Sequence, residues 1–268
     1  MQNVASSPLI RFISKIGFIA KGLLYCLIGI LTFMAAFELG RNSGQDVDKK
    51  KAFNFIENLP AGKWLLAVVA IGLLCYVLSQ VIRAFTHSDI ADSKVKSIFK
   101  RIRHLLSGLA YLLLALFALK MVFQNAGDGK NSNQKIIQQI MQWDNGEWII
   151  GLSALAIAIV GIYQIYYSFS ESYRKHISVA SMDQKNCELL LKSGKIGYVA
   201  RGIVWLIIAW LFIKAAWYSN ASEAGDTAEA FKFLEEASYG SYLLGALGLG
   251  LICYGIFNFI RAGYEKFA

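Results

Sequence analysis

Six long apolar stretches constrain this chain more than any other feature of its sequence. They cover residues 16–37, 64–82, 105–123, 148–169, 196–218 and 242–260. Each approaches the ~20 apolar residues that a helix needs to cross the ~30 Å hydrocarbon core of a bilayer, where every backbone amide must be paired within the helix. Only 17% of the residues are charged, against the roughly 25% typical of a soluble domain. We therefore predict an all-α membrane protein with six transmembrane helices.

The distribution of charged residues predicts how these helices are oriented. The N-terminus, the second and fourth loops and the C-terminus hold 17 of the 27 basic residues but only 6 of the 18 acidic residues. Basic residues are enriched in cytoplasmic loops, so we expect a multi-pass membrane protein with both termini in the cytoplasm. The net charge of +9 is then a topology signal, and no nucleic-acid partner is predicted.

The sequence repeats three times at intervals of about ninety residues. IGFIAKGLLY at 16–25 matches IGYVARGIVW at 196–205, and the middle unit keeps HLLSGLAY at 104–111. A second anchor follows 38 to 40 residues after the repeat glycine, as GKWLL, GEWII and GSYLL. Each unit crosses the membrane twice, so successive units are parallel. We predict repeat units at about 14–86, 100–170 and 194–264 within one membrane domain, 1–268.

Each outer loop also carries the pattern of a short amphipathic helix. Asp48, Ser132 and Asp226 lie at equivalent positions and are residue types that cap helix N-termini. Asp226 and Glu229 have the spacing of a capping box. Apolar residues spaced three apart follow each cap and share one helix face. We predict three short helices that lie on the outer membrane surface.

These motifs resemble an uncharacterised bacterial integral-membrane family, a domain of unknown function. The I-G-[FY]-[IV]-A-[KR]-G-[LI]-[LV] opening, the G-x-[WY]-L-L anchor and the threefold duplication of a two-helix unit carry the resemblance, which covers about residues 12–265. The middle unit departs from the pattern because it lacks the I-G and A-[KR] residues. The resemblance implies a membrane location and a fold, and it supplies no activity and no catalytic residues.

Recurring polar amides are the first candidate site. They lie eighteen residues after the second-anchor glycines and are Gln80, Gln164 and Asn258. Amides in membrane helices face protein or water, so these three form either a ligand-binding ring at the inner mouth of the bundle or separate interhelical hydrogen bonds. We favour separate contacts, with each amide beside the repeat glycine of its own unit.

The repeat glycines and the basic residues near the cytoplasmic ends form two further sets. The glycines are Gly22, Gly108 and Gly202, and they are interpreted as packing residues because glycine lets two helix backbones approach closely. The basic residues are Lys21, Arg83, Arg201 and Arg261. They either bind anionic lipid headgroups of the inner leaflet or only anchor the topology, and the sequence does not separate these alternatives.

The absence of catalytic motifs reduces the number of function classes that the sequence allows. No predicted span contains Asp, Glu or His, and the three histidines fall in predicted loops. The four cysteines show no C-x-x-C spacing, so no metal site is predicted, and no cofactor or catalytic residue is predicted either. We expect a non-enzymatic protein that binds membrane lipids, itself or another membrane protein. The alternative is a small-solute or ion transporter or channel with a pathway near the pseudo-threefold axis. A dry, packed axis favours the first function, and a hydrated cavity lined by the amides favours the second.

Overall fold

The computed structural model describes residues 8–37, 62–86, 94–123, 132–143, 145–177, 182–220 and 223–265. These ranges contain no strand, only an isolated bridge between Ile177 and Glu265, so the all-α class is confirmed. The helices are α1 (Pro8–Ala36), α2 (Gly62–Thr86), α3 (Lys94–Phe123), α4 (Ser132–Met141), α5 (Gly146–Phe169), a 3₁₀ helix (Ser172–His176), α6 (Gln184–Trp217), α7 (Thr227–Glu235) and α8 (Gly240–Tyr264).

Within the described ranges, five helices are long and apolar enough to cross a membrane, namely α1, α2, α5, α6 and α8. In α3 the same criterion gives the shorter apolar segment Ser107–Leu116, and this helix begins with the basic sequence KVKSIFKRIRH. The outward faces of the long helices carry exposed apolar side chains, including Leu152, Leu155 and Ile162 on α5. Extended apolar surfaces of this kind are unfavourable in water and suggest a multi-pass membrane protein.

The contacts between the six long helices follow a ring that is open at one place. The second helix of each unit packs against the first helix of the next unit, as α2 on α3, α5 on α6 and α8 on α1. The two helices within the first unit and within the third unit also pack together, as α1 on α2 and α6 on α8. In contrast, α3 and α5 of the middle unit scarcely touch in the described part of the chain. We call this opening the α3–α5 seam.

The sequence explains why only the middle unit opens. In the first unit Gly17 lies directly against the backbone of Tyr76, and in the third unit Gly197 lies in the same way against Tyr254. A helix can approach another this closely only where it has no side chain. The middle unit has Arg103 at the position of these glycines. An arginine cannot make the same backbone contact, so the third intra-unit interface is lost.

Short helices are present at two of the three predicted positions, as α4 and α7, and the one predicted near Asp48 lies outside the described residues. The capping box of α7 is confirmed. The Asp226 carboxylate accepts a hydrogen bond from the Ala228 amide at 2.8 Å, and the Glu229 carboxylate accepts one from the Asp226 amide at 3.0 Å. Phe231 on α7 is fully buried, so one face of this short helix packs onto the bundle.

Candidate functional site

Two basic and four tyrosine side chains meet in the centre of the bundle, and we call them the central cluster. Five of the six long helices contribute to it, and α5 does not. Its members are Lys21 and Tyr25 on α1, Tyr76 on α2, Tyr111 on α3, Arg201 on α6 and Tyr254 on α8. The four tyrosines are all buried, so the cluster belongs to the interior of the protein rather than to its surface.

Lys21 is the most enclosed basic side chain of the cluster. It is only 4% exposed, and its Nζ donates a hydrogen bond to the Tyr76 hydroxyl at 3.0 Å. The same nitrogen lies 4.7 Å from the ring centroid of Tyr76, 4.8 Å from that of Tyr111 and 5.4 Å from that of Tyr254. A desolvated cation gains about 2 kcal/mol or more over an aromatic face, so the rings partly replace the lost hydration.

Arg201 occupies the equivalent place in the third unit. Its Nη1 donates to the Tyr254 hydroxyl, and its Cζ lies 4.5 Å from the Tyr254 ring centroid and 5.2 Å from that of Tyr25. The pairs Lys21–Tyr76 and Arg201–Tyr254 are therefore the same contact in two repeats. The middle unit has Ser107 and Val160 at these two positions and does not form a third pair.

The remaining contacts among the cluster residues are between tyrosines, and the Tyr76 hydroxyl also lies 3.5 Å from the Ser107 Oγ of α3. The Tyr111 hydroxyl donates to the Tyr25 hydroxyl at 3.1 Å. Two edge-to-face ring pairs, Tyr25 with Tyr254 and Tyr76 with Tyr111, each have centroids 4.7 Å apart. Edge-to-face packing is a favoured geometry for aromatic pairs, so each pair stabilises a contact between two helices.

A second buried group, the arginine–glutamate cluster, joins the first and third units. Arg83 at the end of α2 and Arg261 at the end of α8 both contact the fully buried carboxylate of Glu265, at 2.6 and 2.7 Å. Both guanidinium groups also lie over the ring of Phe18. Burial alone would raise the pKa of Glu265, but the charges of Arg261 and Arg83 outweigh it, and the pKa lies below its usual range.

The four basic residues, predicted either to bind lipid headgroups or to anchor the topology, make contacts within the protein. Lys21 and Arg201 point into the central cluster, and Arg83 and Arg261 share Glu265. None of the four is among the exposed residues. Each of the four lies near one end of a predicted span, and the depth of a residue along a helix does not reveal which side of the helix it occupies.

The three recurring amides make different contacts. The Gln80 Oε1 lies 2.7 Å from the Nδ1 of His104, and His104 lies within α3 rather than in the predicted loop. The Asn258 Nδ2 donates to the Tyr254 carbonyl of its own helix at 2.6 Å. The Gln164 Oε1 has no hydrogen-bond partner in the described part of the chain. No contact among these residues joins the three amides to one another.

The repeat glycines lie at the interfaces between units. A Cβ on Gly22 would lie 2.8 Å from the Phe259 ring of α8, and one on Gly202 would lie 2.5 Å from Ile165 of α5. Gly108 is nearest to Gln80 of α2. Each glycine thus packs on the preceding unit, and the expectation that it lies beside the amide of its own unit is wrong. The ring order explains this, because it brings helices of successive units into closest contact.

The domain described as Domain of Unknown Function (DUF1206) matches the chain three times, at residues 16–87, 102–171 and 196–265. The chain belongs to the DUF1206 family. This membership confirms the family resemblance and the threefold tandem repeat. The DUF1206 chain is also similar to the uncharacterized protein YxxB of Bacillus subtilis (strain 168), with 26% identity over 260 residues that cover 97% of this chain and 93% of that protein. No solved structure matches the chain.

The tyrosines of the central cluster are functional candidates that the sequence interpretation missed. A signal for them was present in the repeats. Tyr25 and Tyr111 each follow a repeat glycine by three residues, and Tyr76 and Tyr254 each follow a second-anchor glycine by fourteen residues. Aromatic residues are common in membrane helices, and a recurrence in two of three units carries little weight until the partner on the facing helix is known.

Proposed function

We propose that this DUF1206 protein is a non-enzymatic, multi-pass protein of the bacterial inner membrane that binds membrane lipids or a partner protein, including a second copy of itself, as a scaffold. In this proposal α3 is the sixth transmembrane helix, both termini are cytoplasmic, and α4 and α7 lie at the outer surface. The position of α3 supports its assignment, because α3 is the first helix of the middle unit and packs on α2 as α1 packs on α8 and α6 on α5.

The packed centre of the bundle is the observation that carries this proposal. Four buried tyrosine rings and two cations occupy the region where a solute pathway would pass. The amides that would line such a pathway contact different neighbours instead. These features favour binding over conduction, since a permeant would have to displace edge-to-face aromatic pairs and cation–tyrosine contacts that stabilise one another.

Cysteine labelling tests the topology. In a variant whose four native cysteines are replaced by alanine, single cysteines at Asn131 and Ser181 are reacted with a membrane-impermeant maleimide in intact cells. We expect labelling at position 131 from outside and at position 181 only after the inner membrane is permeabilised. Labelling of both positions from outside would rule out the six-helix topology.

Native mass spectrometry from lipid nanodiscs tests the binding function. We expect the wild-type chain to carry lipids, a partner or a second copy that are retained after the bulk lipid is removed. The same protein in sealed liposomes should not increase the flux of ions or of a panel of small solutes. A bare monomer without any retained molecule would contradict the proposal, and protein-dependent solute flux would support the transporter alternative instead.

A further inference from the structure

The central cluster contains two positive charges and no carboxylate. Residues 8–37, 62–86, 94–123, 148–170, 189–218 and 237–264 contain no Asp or Glu, so no long helix offers an acid at this depth. Glu265, which follows α8, is already in contact with two arginines. Removing an ion from water is costly unless an opposite charge and hydrogen bonds replace the hydration. Among the described residues, Lys21 and Arg201 contact tyrosines and no group of opposite charge.

The two cations are also close to each other. Lys21 Nζ lies 5.4 Å and Arg201 Cζ lies 4.5 Å from the centroid of the same Tyr254 ring, which limits their separation to about 10 Å. Like charges at this separation repel each other, and the repulsion is stronger in a low-dielectric interior than in water. Such an arrangement is stable when an anion lies between the two groups.

The donor groups fit an oxyanion. An ammonium has three N–H donors and a guanidinium has five, more than the neighbouring phenol oxygens accept. The planar fork of arginine matches the spacing of phosphate oxygens, and lysine adds a point charge. The phenol hydroxyl of Tyr254, which accepts from Arg201, can donate its own proton to a further oxygen, whereas that of Tyr76 already lies 3.5 Å from the Ser107 hydroxyl.

The α3–α5 seam lies on the side where the cluster lacks a helix wall. Five long helices contribute side chains to the cluster, α5 contributes none, and α5 scarcely touches α3. Arg201 is partly exposed, and the adjacent Gly202 packs directly on α5. An anionic group that enters between α3 and α5 would therefore meet Arg201 first and Lys21 behind it.

We infer that the central cluster binds one phosphate-type oxyanion between Lys21 and Arg201, either as the headgroup phosphate of an anionic lipid or as free phosphate. This inference rests on the proposed binding function and specifies its ligand. The tyrosines wall the site and orient the two cations, and the ligand supplies the negative charge that the helices lack.

The test compares thermal unfolding and native mass spectra of the purified full chain in a neutral detergent. Phosphatidylglycerol is added in one arm, phosphatidylcholine in a second, and inorganic phosphate against chloride of equal ionic strength in a third. We expect phosphatidylglycerol or inorganic phosphate to raise the melting temperature by about 5 °C at a hundredfold excess over Kd, and phosphatidylcholine to have no such effect. The arm that responds identifies the source of the phosphate.

Two pairs of variants connect the response to the cluster. Lys21→Met and Arg201→Met should bind the anion at least tenfold more weakly, whereas Lys21→Arg and Arg201→Lys, which exchange the residues that the two repeats already use, should retain the response. Lys192→Met removes an exposed cation from the same helix as Arg201 and should behave as wild type. Without any anion, Lys21→Met should melt higher than wild type, because it removes a buried charge.

Several results would overturn the inference. One is an equal response to phosphatidylglycerol in wild type and in both methionine variants. Another is a wild-type protein that responds to none of the anions; tyrosinate absorbance at neutral pH would then show that an ionised tyrosine supplies the opposite charge. If phosphatidylcholine or a partner is still retained in that case, the proposed function stands and only the oxyanion site fails. If nothing is retained, both fail.

Discussion

Replacing Gly17 by alanine tests how strongly the central cluster depends on the close contact of α1 with α2. An added Cβ would lie 2.6 Å from the Cα and 2.7 Å from the backbone nitrogen of Tyr76, about 1 Å inside ordinary contact distance. Backbone atoms cannot rotate away, so the helices must separate. Overpacking costs about 1–3 kcal/mol, and alanine regains up to about 1 kcal/mol of helix propensity. We expect a net loss of about 1–2 kcal/mol in the free energy of unfolding.

The assay is unfolding of the purified protein by sodium dodecyl sulfate, followed by circular dichroism. Gly197→Ala is the equivalent change in the third unit, where the Cβ would lie 2.6 Å from the Tyr254 Cα, and it should cost a similar amount. Gly151→Ala is the matched control, because nothing lies within 4 Å of its added Cβ. If the Gly17 variant unfolds at the same detergent concentration as the Gly151 variant, the close-contact argument is refuted.

Three further predictions concern single polar groups. Burial raises the pKa of Glu229 to about 7, with a further contribution from Asp226, so α7 should lose protection from hydrogen exchange as the pH rises from about 4.5 through about 7. Glu229→Gln, which keeps the capping acceptor, should remove that dependence. Glu265→Ala leaves two buried arginines without their carboxylate and should lower the free energy of unfolding by about 3–5 kcal/mol in the detergent assay. Gln80→Leu, which removes one interhelical hydrogen bond, should lower the free energy of unfolding by about 0.6 kcal/mol in the same assay. A loss as large as that of Glu265→Ala would refute the interpretation that the three amides make separate contacts.

The helical class and the repeat could be predicted because apolar length, proline placement and self-similarity are local properties of the sequence. The chain has two prolines, and Pro8 is the first residue of α1, where a missing N–H costs nothing. Helix bounds were harder to predict. Helices α3 and α6 begin at Lys94 and Gln184, well before the apolar stretches at 105 and 196, because a basic helix can continue beyond a span and hydropathy does not detect it.

The candidate site could not be predicted because it depends on which units are neighbours. A repeat shows that Lys21 is equivalent to Arg201, but it does not show that Tyr254 lies against both of them. That contact requires the ring to close from α8 back to α1. For the same reason the repeat glycines were paired with amides of their own units, whereas the ring pairs Gly108 with Gln80 of the preceding unit.

Two substitutions distinguish the middle unit from the first and third units, and their effects are related. Arg103 in place of a packing glycine removes the contact between α3 and α5, and Ser107 removes a third cation from the centre. A ring with three identical units would place three like charges at its centre and would close on every side. In this chain the middle unit has serine at the position of the central cation and arginine at the position of the packing glycine. The repulsion at the centre is therefore reduced to one pair, Lys21 and Arg201, and the same unit leaves the seam through which an anion can reach that pair.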